Sequence, residues 1–140
     1  MKDMSYKTIR EMIAVNNKKE LKRLIYQRTV EHGLNCNLND IDVSKIDDMS
    51  FLFTDSKFNG DISSWDVSKV KDMSFMFEGS NFNGDISSWN VSSVTNMSYM
   101  FSWSKFNGDI SSWDVSNVED MRCIFINSPL SGREPKWYRP

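Results

Sequence analysis

The residues of this 140-residue chain best equipped for chemistry are carboxylates set at a fixed interval. Asp61, Asp85 and Asp109 stand 24 residues apart, each between a Gly and an Ile. Asp66 and Asp114 hold a second recurring position, with Asn90 between them. A calcium array needs about six to eight oxygen ligands per ion, and one Asp per interval supplies too few. An Asp that hydrogen-bonds its own turn is the better account. Nucleophilic chemistry fares worse. Ser is plentiful, but an activated serine needs a base, and the one imidazole, His32, precedes the Ser-rich part of the chain. Cys36 and Cys123 form neither a disulfide framework nor a metal cluster. These patterns predict a non-enzymatic protein with no catalytic residues, no metal and no cofactor.

The interval that spaces the carboxylates also spaces the large apolar residues. The string Phe-Asn-Gly-Asp-Ile-Ser-Ser-Trp occurs unchanged at 58, 82 and 106, and Phe53, Phe77, Phe101 and Phe125 keep the same step of 24. Copies 58–81 and 82–105 share 16 of 24 positions. Leu34, Leu38 and Ile41 extend the register backwards, and Leu130, Gly132 and Trp137 extend it forwards. A fixed period of this size means a stacked array. The chain divides into an N-terminal helical cap at 1–33, four 24-residue repeats at 34–129, and a degenerate fifth repeat with a C-terminal cap at 130–140.

Within one copy, Ile62, Trp65, Val67 and Val70 carry the apolar spacing of a leucine-rich-repeat strand, with Trp65 and Val67 on one face. Met73, Met76 and Phe77 predict a helical or 3₁₀ turn behind that strand. The expected fold is α/β, a leucine-rich-repeat-like solenoid with a short parallel sheet, capped by N-terminal helices. Equal positions then form ladders of Trp, Val, Met and Phe, and these ladders are the core. Asn59, Asn83 and Asn107 are expected to hydrogen-bond along the stack. Gly60, Gly84 and Gly108 are expected at positive φ. Three spacings, about 14 Å, separate the coils of Cys36 and Cys123, beyond the reach of about 7 Å that a disulfide allows. Two helices, about 5–15 and 18–32, are expected to cover the first edge, the second opened by Asn17 with Glu20 and stopped by Gly33.

The unit Phe-Asn-Gly-Asp-Ile-Ser-Ser-Trp-Asp-Val-Ser…Asp-Met-Ser-x-Met-Phe resembles the BspA-type leucine-rich-repeat-like family of bacterial proteins, over about 34–129. The preceding Lys-Glu-Leu-Lys-Arg-Leu-Ile segment is similar to that family's lead-in. The resemblance implies a surface or secreted role in adhesion and protein binding, and it implies no catalytic residues.

Charge divides along the chain. Residues 1–33 carry eight Lys/Arg and four Asp/Glu, residues 34–132 carry six and fourteen, and the whole chain is at −2. An acidic slab between basic ends predicts a protein partner with a basic surface. The expected binding face is the polar row Ser64, Asp66, Ser68, Lys69, Ser88, Asn90, Ser92, Ser112, Asp114 and Ser116, from which Asp66 and Asp114 should be replaceable by Lys without harm to the fold. A second candidate is the cap cluster Lys18, Lys22 and Arg23. Direct nucleic-acid binding is not expected, because the aromatic residues that would stack on bases are assigned to the core. No apolar run in 1–33 makes a signal-peptide core or a membrane span. That predicts a cytoplasmic monomer, or a surface or secreted protein if a leader precedes it. The expected function is an intracellular inhibitor of the phage anti-defence or toxin-immunity type, with a surface adhesin as the alternative.

Overall fold

The computed structural model describes residues 11–140. The chain runs from β1 (Ile13–Ala14) through α1 (Lys18–His32) to β2 (Ile41–Asp42). β1 and β2 pair in parallel, Ile13 opposite Ile41 and Ala14 opposite Asp42. The helix expected over 5–15 is therefore corrected: Ile13–Ala14 is extended, and the part over 5–10 lies outside the described residues. The cause is the open edge of the first copy. The Ile13 N–H donates to the Asp40 carbonyl at 2.8 Å and the Val15 N–H to the Asp42 carbonyl at 3.2 Å, so main-chain groups that a helix would leave unpaired are satisfied.

The second expected helix forms. Asn17 is its N-cap, with its side chain accepting from the Glu20 N–H at 2.9 Å. Glu20 reaches back one residue further than a standard capping box, to the Asn16 N–H at 2.8 Å. Gly33, at φ 91°, ends the helix and donates to the Thr29 carbonyl. Leu21 and Ile25 enter the same apolar cluster that runs through every copy to Leu130. Arg28 grips Asp40 with two hydrogen bonds of 2.8 and 3.1 Å, both side chains only 13% exposed. The cap and the repeats thus share one core.

The copies lie on one another, but a different part of each turn joins them from the one the apolar spacing suggests. Trp65 and Val67 are both buried, as their spacing requires. Their backbone, however, makes no strand. The Trp65 N–H turns back to the Ile62 carbonyl and the Val70 N–H to the Val67 carbonyl. At each corner an Asp closes the turn: Ser63 bonds Asp61 and Ser68 bonds Asp66, through both N–H and hydroxyl. Donors consumed locally cannot pair with a neighbouring coil. That role passes to the Met-Phe segment, where the expected helical or 3₁₀ turn forms as single turns, with the N–H groups of Met76, Glu78 and Ser80 donating to the carbonyls of Met73, Phe75 and Phe77, while the alternate donors point to the next coil. The N–H groups of Met73, Phe75, Phe77 and Gly79 donate to the carbonyls of Asn96, Ser98, Met100 and Ser102 at 2.9–3.0 Å. The same four-rung pattern joins 49–55 to 72–78 and 97–103 to 120–126. Isolated parallel bridges connect Asp48, Asp72, Asn96 and Asp120 in series.

The four aligned donors depend on backbone reversal. Phe75 and Gly79 have φ of 57° and 63°, and so do their counterparts Phe51 (62°), Tyr99 (58°), Cys123 (55°), Asp55 (55°), Trp103 (57°) and Asn127 (52°). A non-glycine residue in the left-handed region costs about 1–2 kcal/mol. The stack accepts that cost repeatedly, and the rungs between coils offset it.

Inside, the rings form columns. Phe53, Phe77, Phe101 and Phe125 stack at 5.6, 5.6 and 6.0 Å, and Phe58, Phe82 and Phe106 at 6.3 Å. Each Trp Nε1 donates to a carbonyl one coil back: Trp65 to Leu38, Trp89 to Ile62, Trp113 to Ile86, and Trp137 to Ile110, at 2.8–3.1 Å. The expected Asn ladder is present as well. Asn59 accepts from the Asn83 N–H and Asn83 from the Asn107 N–H, both at 2.8 Å. Gly60, Gly84 and Gly108 correct the sequence reading: positive φ among the described glycines occurs at Gly33, Gly79 and Gly132. Gly60, Gly84 and Gly108 are glycine for space. A Cβ on Gly84 would stand 2.8 Å from two ring carbons of Phe82, and one on Gly108 would stand 2.7 Å from Phe106. The thiols of Cys36 and Cys123 are free.

Candidate functional site

Most groups of the expected binding face hold the turn together. The Asp66 Oδ1 accepts the Ser68 N–H at 3.0 Å and its hydroxyl at 2.6 Å, and Asn90 accepts from Ser92 in the same way. Asp114 accepts the Ser116 N–H at 3.0 Å. The hydroxyls of Ser88 and Ser112 donate to the carbonyls of Ser63 and Ser87. Asp66 and Asp114 nevertheless stay exposed. The serine hydroxyl two residues on, seconded by its N–H, holds both carboxyls below their usual range, so both are anionic at neutral pH. Lys69, also exposed, lies close enough to Asp42 and Asp66 to favour their charged forms. Ser64 remains exposed, with its N–H on Asn39. A Lys at 66 or 114 could not accept these bonds, so the expected harmless reversal is replaced by Asn, which the chain itself carries at 90.

The cap cluster splits. Lys18 is an anchor, its Nζ 3.1 Å from Asp48 Oδ2, 3.0 Å from the Ser50 carbonyl and 2.9 Å from the Ser50 hydroxyl. It closes one end of the column that continues through Asp72, Asn96 and Asp120. At the other end of the stack Arg133 closes the Asn column by donating to Asn107. Lys22 and Arg23 remain exposed on the outer side of α1.

A depression of about 450 Å³ runs over Asn59, Gly60, Asp61 and Asp85. Its carboxylates are already engaged by Ser63 and Ser87. Among the described residues no group of His, Cys, Asp and Glu is arranged to hold a metal ion.

The sequence reading missed a third surface. Phe51, Phe75 and Tyr99, the left-handed residues of three successive coils, point outward and stack in parallel at 4.7 Å with 5° between planes. Phe51 is 48% exposed and Trp103, in the second left-handed column, 65%. The aromatic residues are therefore not all in the core, contrary to expectation. Bulky residues at positive φ are outliers, and here the strain places rings in solvent. The rings cover one another's faces, so the row presents ring edges. Base stacking needs open faces, which leaves the row poorly suited to nucleic acid. A period-24 alignment groups these rings, yet nothing in their spacing tells them from the buried column two residues on. Only the reversed backbone does.

Beside the row stand Asp55 and Glu78. The Asp55 carboxylate lies over Gly79, where a side chain would strike it. Burial, and then the neighbouring Asp55 charge, raise the Glu78 carboxyl above its usual value. No ion pair engages either carboxylate among the described residues.

No helix among the described residues is long and apolar enough to cross a membrane. No curated protein and no solved structure shows significant similarity to this chain. Residues 19–137 match the family described as "Mycoplasma protein of unknown function, DUF285". That match takes in α1 from its second residue, all four copies and the terminal Trp137, the segment that supplies nearly all of the shared core, and the chain belongs to this family.

Proposed function

We propose that this chain is a non-enzymatic protein-binding module, a leucine-rich-repeat-like solenoid of the BspA-related kind, that recognises a protein with a basic surface. One observation carries the reading. The three copies that start at 58, 82 and 106 agree at most of the positions that build the frame and differ along one outer arc. Buried Phe82, Ile86, Trp89, Val91 and Met97 repeat without change in these three copies, and so do the exposed ladder residues Asn83 and Asp85, while the first copy carries Leu34, Leu38, Ile41 and Asn37 at the positions of Phe82, Ile86, Trp89 and Asp85. Between 66 and 81 the outward positions vary: Lys69, Ser93 and Asn117; Lys71, Thr95 and Glu119; Phe75, Tyr99 and Cys123; Gly79, Trp103 and Asn127. A rigid frame with a varied outer arc is how stacked repeats achieve specificity. The excess of fourteen acidic over six basic residues in 34–132 favours a basic partner. An inhibitor of the anti-defence or toxin-immunity type fits that charge, and an adhesin-like role is the second reading.

The test is direct. The immobilised chain is used to capture its partner, and association rates are then measured at two salt concentrations. Replacing Asp42, Asp66 and Asp114 together by Asn preserves the turns and removes three charges. The association rate and its salt dependence are expected to fall together. An unchanged rate and salt slope would reject this face as the binding site.

A further inference from the structure

α1 has two faces. Leu21 and Ile25 are buried. The opposite side carries Lys19, Lys22 and Arg23 in its first half and Tyr26 and Val30 in its second, the last two 70% and 68% exposed. At spacings of three and four these residues form one stripe, basic then apolar. Among the described residues no packing contact accounts for an exposed aromatic and a β-branched residue one turn apart on this helix.

The repeats carry the converse arrangement. The edges of Phe51, Phe75 and Tyr99 form an apolar ridge, Trp103 projects from the next left-handed column, and Asp55 and Glu78 lie alongside as a carboxylate pair that no cation among the described residues engages. Trp and Tyr are the residues most enriched where protein surfaces meet, and ring edges favour the face of another ring. The ridge therefore matches a surface that offers an aromatic face beside Lys and Arg.

We propose that a second copy of this chain supplies that surface: the outer stripe of α1 in one molecule, Lys22, Arg23, Tyr26 and Val30, docks on the Phe51–Phe75–Tyr99 ridge and the Asp55–Glu78 pair of another. Charge complementarity argues for this occupant, since residues 1–33 carry eight basic residues against four acidic while the repeats have the opposite sign. Lys18 and Arg28 are already engaged inside the molecule, so Lys19, Lys22 and Arg23 are the cations left to the outer side of the described helix. The contact joins two different patches, which makes it heterologous, and each molecule offers both halves. The ridge belongs to the same varied arc, but the inference goes beyond the partner-binding reading because it brings in α1 and leaves the Asp42–Asp66–Asp114 column free.

The experiment is light scattering and sedimentation of the full chain at low salt, from roughly micromolar to millimolar concentration. The mass is expected to rise above the 16.3 kDa of one chain as concentration increases, and to return to it when salt is added. Lys22→Glu with Arg23→Glu, and separately Asp55→Lys with Glu78→Lys, are each expected to weaken association on the order of tenfold or more. Mixing the two variants should restore it, because the reversed helix of one then meets the reversed ridge of the other. Trp103→Asn keeps a residue that tolerates the left-handed backbone and should also weaken association while the melting temperature holds. A chain that stays monomeric over this range overturns the proposal, as does association that survives either reversal, or Trp103→Asn, or reversals that fail to complement each other. The triple Asn variant at 42, 66 and 114 should self-associate like the parent, so loss of partner binding and loss of self-association are read independently.

Discussion

Trp89→Ala tests the stacking of the copies most severely. The indole is 4% exposed, lies 6.4 Å from the Phe77 ring, and donates to the Ile62 carbonyl at 3.1 Å. Truncating a buried Trp to Ala typically costs about 3–5 kcal/mol. The stranded Ile62 carbonyl adds about 1 kcal/mol. A domain of this size has about 5–15 kcal/mol in total, so the variant is expected near the edge of unfolding. In urea, with a slope of about 2 kcal/mol per molar, the midpoint should move by roughly 2 M. Trp137→Ala removes the equivalent hydrogen bond, to Ile110, and the equivalent ring contact, to Phe125 at 6.0 Å, at the end of the column, where the indole is only half-buried. It should cost no more than about half as much, because one of its neighbours is solvent. Trp89→Phe separates the two contributions: it retains most of the ring and loses the bond, with an expected cost of about 1–2 kcal/mol. Urea unfolding followed by far-ultraviolet circular dichroism measures all three variants. Equal losses at 89 and 137, or a loss below about 1 kcal/mol at 89, would refute the reasoning that one continuous column carries the stability.

Gly84→Ala should destabilise although Gly84 has an ordinary backbone, because its Cβ would meet the Phe82 ring at 2.8 Å. Overpacking of this kind costs about 1–3 kcal/mol, and a neutral result by thermal melting would show that the ring can yield. Trp103→Gly should be neutral or stabilising by up to about 1 kcal/mol, since φ 57° suits Gly and little burial is lost; a clear drop in melting temperature would show that the exposed indole supports the fold. Acid should unfold the array late. Serine hydroxyls lower the carboxyls of Asp61, Asp66, Asp85, Asp109 and Asp114 below their unfolded value. Depressed folded values make this stabilisation complete above the unfolded value of about 4 and remove it as pH falls through the folded values. A melting temperature that is flat from neutral pH to about 4–5 and then drops fits this account; a decline that begins near pH 6 contradicts it.

The repeat and its contents were legible in the sequence for a simple reason. Identical side chains at a step of 24 can all be buried only if the copies lie in register, so Phe58, Phe82 and Phe106, and the Trp series with Trp137 as its last member, identify the core without coordinates. Capping chemistry was legible on the same local grounds: Asn17 opens α1 and Gly33 closes it, because both act through the backbone within a few residues. The candidate site was half legible. Asp66, Asn90 and Asp114 could be placed outside as polar residues between buried ones, but their bonds to Ser68, Ser92 and Ser116 could not be weighed against a binding role.

Tertiary structure alone decided which segment joins the coils and which rings face solvent. Asp61 and Asp66 draw the nearby donors into local turns, leaving Met73–Gly79 to supply the rungs. Supplying them in one direction requires reversed residues at 75 and 79. That reversal sends Phe75 outward while Phe77, two positions on, stays in the core. A period fixes which residues share a column but carries no information on the sign of φ. The sign follows from satisfying every donor between one coil and the next, a condition that exists only once the coils are stacked.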